Sequence, residues 1–248
     1  MKDKKYTQSI SVFIPAYNEE ENIREVSLDI IKFLNKHFKT YELILVINKC
    51  KDKTPQLAKE LAKKNKHIRV IQQKTFVGYG SQLKKGWENA KYDLVFYTDS
   101  DRQFNIEELT RFMESIKEYD AVVGYRKKRR DPFMRIAYSK LYNLALGLIL
   151  GIKFKDADCA FKLCKKEVID AIKPITQDRG ADSEFLVKAT AKGFKMKQLP
   201  VTHRPRIAGV SEAESEGGGF FVKIKPEIIK ALIKETLYLR KFRNPENF

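Results

Sequence analysis

Short apolar runs of β-forming residues alternate with stretches of helical periodicity through the first half of this chain. Ser9 to Pro15, Tyr41 to Ile47, His67 to Gln72, the run ending at Asp99, and Ala121 to Tyr125 read as strands. Helices fill the gaps. Asn18-Glu-Glu-Glu-Asn22 opens the first, with apolar residues at Ile23, Val26, Ile30, Ile31 and Leu34 and acids placed to suit the helix dipole. Thr54 to Lys64 carries proline in its first turn. Gly78-Tyr-Gly80 leads into Ser81 to Ala90, and Ile106 to Ile116 comes after the fourth strand. Such alternation predicts an α/β protein, with a doubly wound, mostly parallel sheet, helices on both faces and right-handed crossovers.

After Arg126 the pattern changes. Lys127-Lys-Arg-Arg130 precedes a long apolar helix from Pro132 to Leu150. On it Arg135, Ser139 and Asn143 recur every four residues as one polar stripe. Phe133, Ile136, Ala137, Tyr138, Leu141, Leu144 and Leu148 make most of the remainder apolar. Such a helix can hold a lipid on one side and a phosphate on the other, or it can be a core helix whose stripe faces water. A short strand near Ala160 to Cys164, a helix near Asp182 to Lys192 and a strand near Met196 to Thr202 come next. Gly209 to Gly219 reads as a loop. A basic amphipathic helix, Pro226 to Phe242, closes the chain, with Ile228, Ile229, Leu232, Ile233 and Leu237 beside Lys223, Lys225, Lys230, Lys234 and Arg240.

Composition narrows the partners. Lysine and arginine number 49 against 32 acids, a net charge of +17, which points to an anionic partner. No nucleic-acid motif accompanies that charge, so nucleic acid is not expected. Cys50, Cys159 and Cys164, with His37, His67 and His203, offer no zinc spacing and fit a reducing cytosol. Met1 to Gln8 is polar and no apolar run reaches the roughly 18 residues of a spanning helix. The expected location is cytoplasmic.

The chemistry centres on Asp93-Leu-Val-Phe-Tyr-Thr-Asp-Ser-Asp101. An apolar strand runs into two carboxylates one residue apart. Side chains two apart along a strand point the same way, so Asp99 and Asp101 can meet one hard divalent cation. Open α/β sheets bind ligands at those strand ends. Alone, Asp-x-Asp is a weak signal.

Six motifs in order make it specific. They are Val12-Phe-Ile-Pro-Ala-Tyr-Asn-Glu-Glu20; Gly78-Tyr-Gly80 with Gly86; Asp99-Ser-Asp101-Arg-Gln103; Gly124-Tyr-Arg126; Asp156-Ala-Asp-Cys-Ala-Phe-Lys162; and Pro200-Val-Thr-His-Arg-Pro-Arg-Ile-Ala-Gly-Val-Ser211. Together they resemble family 2 glycosyltransferases, in the dolichol- or polyprenyl-phosphate hexosyltransferase branch typified by dolichol-phosphate mannosyltransferase. The resemblance implies a GT-A fold over residues 1–215, with a nucleotide-binding part at 9–125 and an acceptor-binding part at 126–215, then the basic helix at 216–248. It implies a nucleotide-sugar donor, Mg²⁺ or Mn²⁺, and inverting transfer of a hexose to a polyprenyl (dolichyl or undecaprenyl) phosphate. It assigns Asp99, Asp101 and Gln103 to the metal. Pro15, Tyr17, Glu19, Asn48 and Asp99 fall to the nucleotide. Arg126, Arg135, Ser139, Arg206 and Ser211 fall to the acceptor phosphate, with Arg135 joining the two aspartates as catalytic.

Three departures from the family pattern stand out. Where relatives have Asp-Asp-Gly-Ser-x-Asp-Gly-Thr, this chain has Ile47-Asn-Lys-Cys-Lys-Asp-Lys-Thr54, which opens the question of the nucleobase. Glu212 replaces a common lysine. The C-terminal membrane helices of some relatives are missing, so attachment to an anionic membrane surface is expected to be peripheral. The alternatives are a family 2 transferase with a saccharide acceptor, or a non-catalytic binding protein on a degenerate scaffold.

Overall fold

The computed structural model describes residues 5–127, 133–151, 153–175, 180–206 and 226–248. Five strands lie at the expected positions: β1 (Ile10–Ala16), β2 (Tyr41–Ile47), β3 (Ile68–Gln72), β4 (Leu94–Thr98) and β5 (Ala121–Arg126). Every residue of β1, β2 and β4 is buried. Parallel strands covered on both faces read as continuous apolar runs, which is why the sequence shows them so clearly. The helices between them are α1 (Ile23–His37), α2 (Thr54–Lys64), α3 (Tyr79–Asn89) and α4 (Leu109–Ser115), the last entered through a 3₁₀ turn at Ile106–Glu108. Then come α5 (Phe133–Leu150), β6 (Phe161–Lys165), α6 (Lys166–Ile172), α7 (Ala181–Ala191), β7 (Met196–Val201) and α8 (Pro226–Arg240).

The seven strands form one sheet in the order β3-β2-β1-β4-β6-β5-β7. All neighbours are parallel except β6, which runs antiparallel between β4 and β5. The chain order reverses at β1 and β4, so their C-terminal ends flank the crevice where open α/β sheets bind ligands. Two apolar layers sandwich the sheet: one holds α1, α2 and α4, the other α3, α5, α7 and the end of α8.

One expectation is corrected: α1 begins at Ile23, not at Asn18. The acids before it bond across to the loop after β2 instead of filling a first turn. Glu20 accepts from the Lys53 N–H at 2.9 Å, and the Glu19 N–H donates to Thr54 Oγ1 at 2.8 Å.

Gly86 has a specific task. A Cβ there would lie 2.2 Å from the Phe13 ring, which is fully buried and stacked on Tyr97. Gly86→Ala is expected to destabilise the protein by about 1–3 kcal/mol through overpacking, despite alanine's better helix propensity. A urea midpoint equal to wild type would refute this.

The last helix docks on the domain. Thr236, Leu239 and Phe242 are buried, and Tyr142 of α5 donates to Glu235 at 2.5 Å. Ile233 and Leu237 of its expected apolar face are exposed. Among the described residues no helix is long and apolar enough to cross a membrane. The basic run Lys128–Arg130, the Gly209–Gly219 loop, Ser211, Glu212, Lys223, Lys225 and the boundary at 215/216 lie outside the described residues. The same holds for the side chains of Phe133, Arg135, Tyr138, Ile228, Ile229, Lys230 and Leu232.

Candidate active site

Asp99 lies directly after β4, beside the end of β1. Its Oδ1 accepts from the Tyr79 hydroxyl at 2.9 Å, so the first residue of α3 fixes the carboxylate. Burial, and after it the charge of Asp101, push the Asp99 carboxyl up to about 7. Burial also raises the Tyr79 hydroxyl well above its ordinary range, with the Asp99 charge adding to it. Two carboxylates that oppose each other's ionisation suit a cation between them. Asp101 Oδ1 accepts the Gln103 N–H at 3.1 Å across Arg102, whose φ is 62°. Among the described residues no third histidine, cysteine or acid completes a metal cluster. A two-carboxylate set fits Mg²⁺ or Mn²⁺, which complete their shells with substrate phosphate and water.

Arg206 joins the parts that the sequence treats separately. One guanidinium nitrogen pairs with Glu19 and another lies 3.9 Å from Asp101 Oδ2. A nucleotide candidate, a metal candidate and an acceptor candidate thus share one cluster. Burial raises the Glu19 carboxyl, while Asn22 and Arg206 hold its charged form. Gln103 turns its amide nitrogen to the Arg204 carbonyl at 2.9 Å, and the Arg204 N–H returns a bond to the Gln103 carbonyl at 2.8 Å. That ladder ties the Asp101 loop to the segment carrying Arg206.

Arg126 is buried in a two-point pair with Asp156: Nε to Oδ2 at 2.6 Å and Nη2 to Oδ1 at 2.7 Å. A phosphate at Arg126 would share it with that carboxylate. The charge of Arg126 favours the ionised form of Asp99.

Asn143, the last residue of the polar stripe of α5, bonds into the protein. Asn143 accepts the Ala157 N–H at 2.9 Å and donates to the Ser139 carbonyl at 2.8 Å. Three leucines face outward, Leu148 at 77% exposed, Leu144 at 57% and Leu141 at 41%, while Leu146 is buried in the core. On the adjacent α8, Leu237 (51%) and Ile233 are exposed as well.

Tyr17 stands against Phe76, with ring centroids 5.0 Å apart at 63°. Pro15 is paired inside β1 opposite Val46. Asn48 is buried and bonded to the segment after β3.

Sequence reasoning missed several residues of this site. Tyr79 is one; its position between Gly78 and Gly80 was the signal that could have found it. Beneath the aspartates, Lys162 and Tyr97 both bond to the buried Asp182 of α7. Lys162 also donates to Tyr97 Oη at 3.0 Å and to the carbonyls of Ala157 (3.0 Å) and Cys159 (2.7 Å). Burial, then the charges of Asp182 and Asp156, push the neighbouring Asp158 up to about 7.

Residues 11–173 match the family model described as glycosyl transferase family 2. Glycosyltransferase AglD of Haloferax volcanii is 30% identical over 207 residues, which are 79% of this chain and 33% of that protein. An undecaprenyl-phosphate 4-deoxy-4-formamido-L-arabinose transferase of Proteus mirabilis is 32% identical over 205 residues, 82% of this chain and 62% of the relative. The chain therefore spans between one third and two thirds of these relatives' lengths. Among solved structures, glucosyl-3-phosphoglycerate synthase of Mycobacterium tuberculosis with Mn²⁺, uridine diphosphate and glucosyl-3-phosphoglycerate aligns over 94% of this chain and 80% of its own. The TM-score is 0.68 at 17% identity, a likeness of fold.

Proposed function

Because this chain belongs to glycosyl transferase family 2, we propose that it transfers a hexose from a nucleotide diphosphate donor to a polyprenyl phosphate, with inversion, at an anionic membrane surface. The observation that carries this reading is the inverted character of α5. Asn143 of its polar stripe turns inward to the loop that bears Asp156, while Leu141, Leu144 and Leu148 turn out to solvent. A water-soluble acceptor does not need an outward row of leucines. A lipid phosphate needs apolar surface outside and cations inside. The names of the polyprenyl-phosphate relatives point the same way.

In the reaction, a phosphate oxygen of the acceptor attacks the anomeric carbon and the bond to the leaving diphosphate breaks. Asp99 and Asp101 would hold a divalent cation, which would supply charge neutralisation on that diphosphate. The acceptor is already an oxyanion, so the protein holds it and no strong base is needed. Arg206, with Arg135, Ser139 and Ser211, is assigned to the acceptor phosphate, where arginine's forked geometry suits phosphate oxygens. Tyr17 and Glu19 line the nucleoside side, and Tyr79 keeps Asp99 in place. Gln103 is assigned to the metal shell through its carboxamide oxygen, its nitrogen being held by Arg204.

The test is direct. Purified protein with Mn²⁺ is given a panel of nucleotide sugars and a short polyprenyl phosphate in anionic vesicles, and lipid-linked sugar is sought by mass spectrometry. Transfer is expected, together with vesicle binding at low salt that fades at high salt. Leu144→Asp/Leu148→Asp is expected to abolish vesicle binding and leave nucleotide affinity within about twofold. Transfer to free saccharide but not to lipid phosphate would overturn the acceptor assignment.

A further inference from the structure

Glu19 uses its polar groups inside the protein. Its N–H donates to Thr54 Oγ1 at 2.8 Å, and its carbonyl accepts the N–H of Asn22 at 3.0 Å and of Ile23 at 2.8 Å. These bonds fix its backbone to the corner between β1 and α1. The carboxylate is held from both sides: Oε2 accepts from Asn22 Nδ2 at 2.8 Å, and Oε1 pairs with Nη2 of Arg206. The residue is only 8% exposed. Glu19 is assigned to the nucleoside side of the site, yet its charge is turned to an arginine 187 residues further along the chain.

Arg206 lies beyond the end of β7, in a segment joined to the Asp101 loop by the two bonds between Gln103 and Arg204. Those bonds fix the backbone at Arg204, not the side chain of Arg206. A long side chain keeps its rotamer freedom unless a partner fixes it. Two carboxylates are near this one. Asp101 Oδ2 is 3.9 Å from Nη1, but a cation held by Asp99 and Asp101 would oppose the guanidinium there. Glu19 stands outside that pair of aspartates, and its burial leaves its attraction little screened. It engages Arg206 at one nitrogen. A one-nitrogen pairing orients a group of five N–H donors without saturating it.

Resting on the acceptor reading above, we propose that Glu19 is the positioning residue of Arg206. Its carboxylate aims the guanidinium at the acceptor phosphate, so it sets acceptor affinity and not nucleotide affinity.

The whole protein with Mn²⁺ is titrated calorimetrically with the diphosphates of uridine, cytidine and guanosine. Transfer from the donor that the panel selects is followed against short polyprenyl phosphate in anionic vesicles. Glu19→Gln keeps the side-chain length and an oxygen for Asn22. It is expected to raise KM for the lipid phosphate about tenfold, with kcat within about threefold and nucleotide affinity within about twofold. Arg206→Gln should raise that KM at least as much. Adding Glu19→Gln to it should cost less than about twofold more, because Glu19 acts through Arg206. Glu19→Asp keeps the charge and should fall between wild type and Glu19→Gln; it carries the comparison if Glu19→Gln does not fold. Nucleotide affinity lowered about tenfold with an unchanged acceptor KM would make the carboxylate a nucleotide ligand and overturn the proposal. An acceptor KM unchanged in the Glu19 variants, or effects of Glu19 and Arg206 that multiply, would overturn it too. In those cases wild-type transfer to lipid phosphate leaves the transferase reading standing. A wild type that transfers no sugar to lipid phosphate removes the acceptor reading and this proposal together.

Discussion

Asp101→Asn is expected to abolish sugar transfer while leaving the protein folded. The substitution keeps an oxygen at the position that accepts the Gln103 N–H, so the turn across Arg102 is retained. It removes the negative charge from the oxygen that faces Arg206 at 3.9 Å and would face the cation. A loss of about a thousandfold corresponds to roughly 4 kcal/mol of transition-state stabilisation. The neutral amide also relieves the repulsion that raises Asp99, so the thermal midpoint should hold or rise. Near-normal turnover with an unchanged metal requirement would remove Asp101 from the site.

The aspartates were legible because a strand end states its own geometry: apolar residues to Thr98, then charge. The first five strands were legible for the same local reason. β6 was found, but not its direction, because nothing in five residues says which way a strand enters a sheet. Its direction depends on the path through α5 and the loop at 156–160. Lys162 carries the consequence. In sequence it is a lysine in a strand; in the fold it is buried opposite Tyr97 and bonded to Asp182. Tyr97 and Asp182 stand 85 residues apart, so no spacing could reveal the contact. The orientation of α5 was open for a related reason. Its stripe marks a face, and only the Ala157 bond to Asn143 shows that Asn143 points inward. At Asn18 to Asn22 a local rule misled, since the Glu20 carboxylate and the Glu19 N–H bond to the segment after β2 while the Glu19 carboxylate turns to Asn22 and Arg206.

That buried lysine is also where the fold should be most fragile. Lys162→Met is expected to destabilise the protein by about 3–5 kcal/mol, the usual cost of stranding one member of a buried ion pair. Four acceptors lose their donor: Asp182, Tyr97 Oη and the carbonyls of Ala157 and Cys159. The side-chain volume is nearly conserved, so little of the loss is cavity formation. Asp182 would remain buried and charged with the Tyr97 hydroxyl beside it. If the stranded charge is the main cost, adding Asp182→Asn to Lys162→Met should recover part of the stability, because the two sites are in contact and their effects do not add. Urea unfolding of the two single variants and the double variant closes this cycle. A Lys162→Met loss below about 1 kcal/mol would mean that water or an altered protonation of Asp182 already compensates the pair. A strictly additive double variant would mean that Lys162 serves the carbonyls of the 156–160 loop more than it serves Asp182.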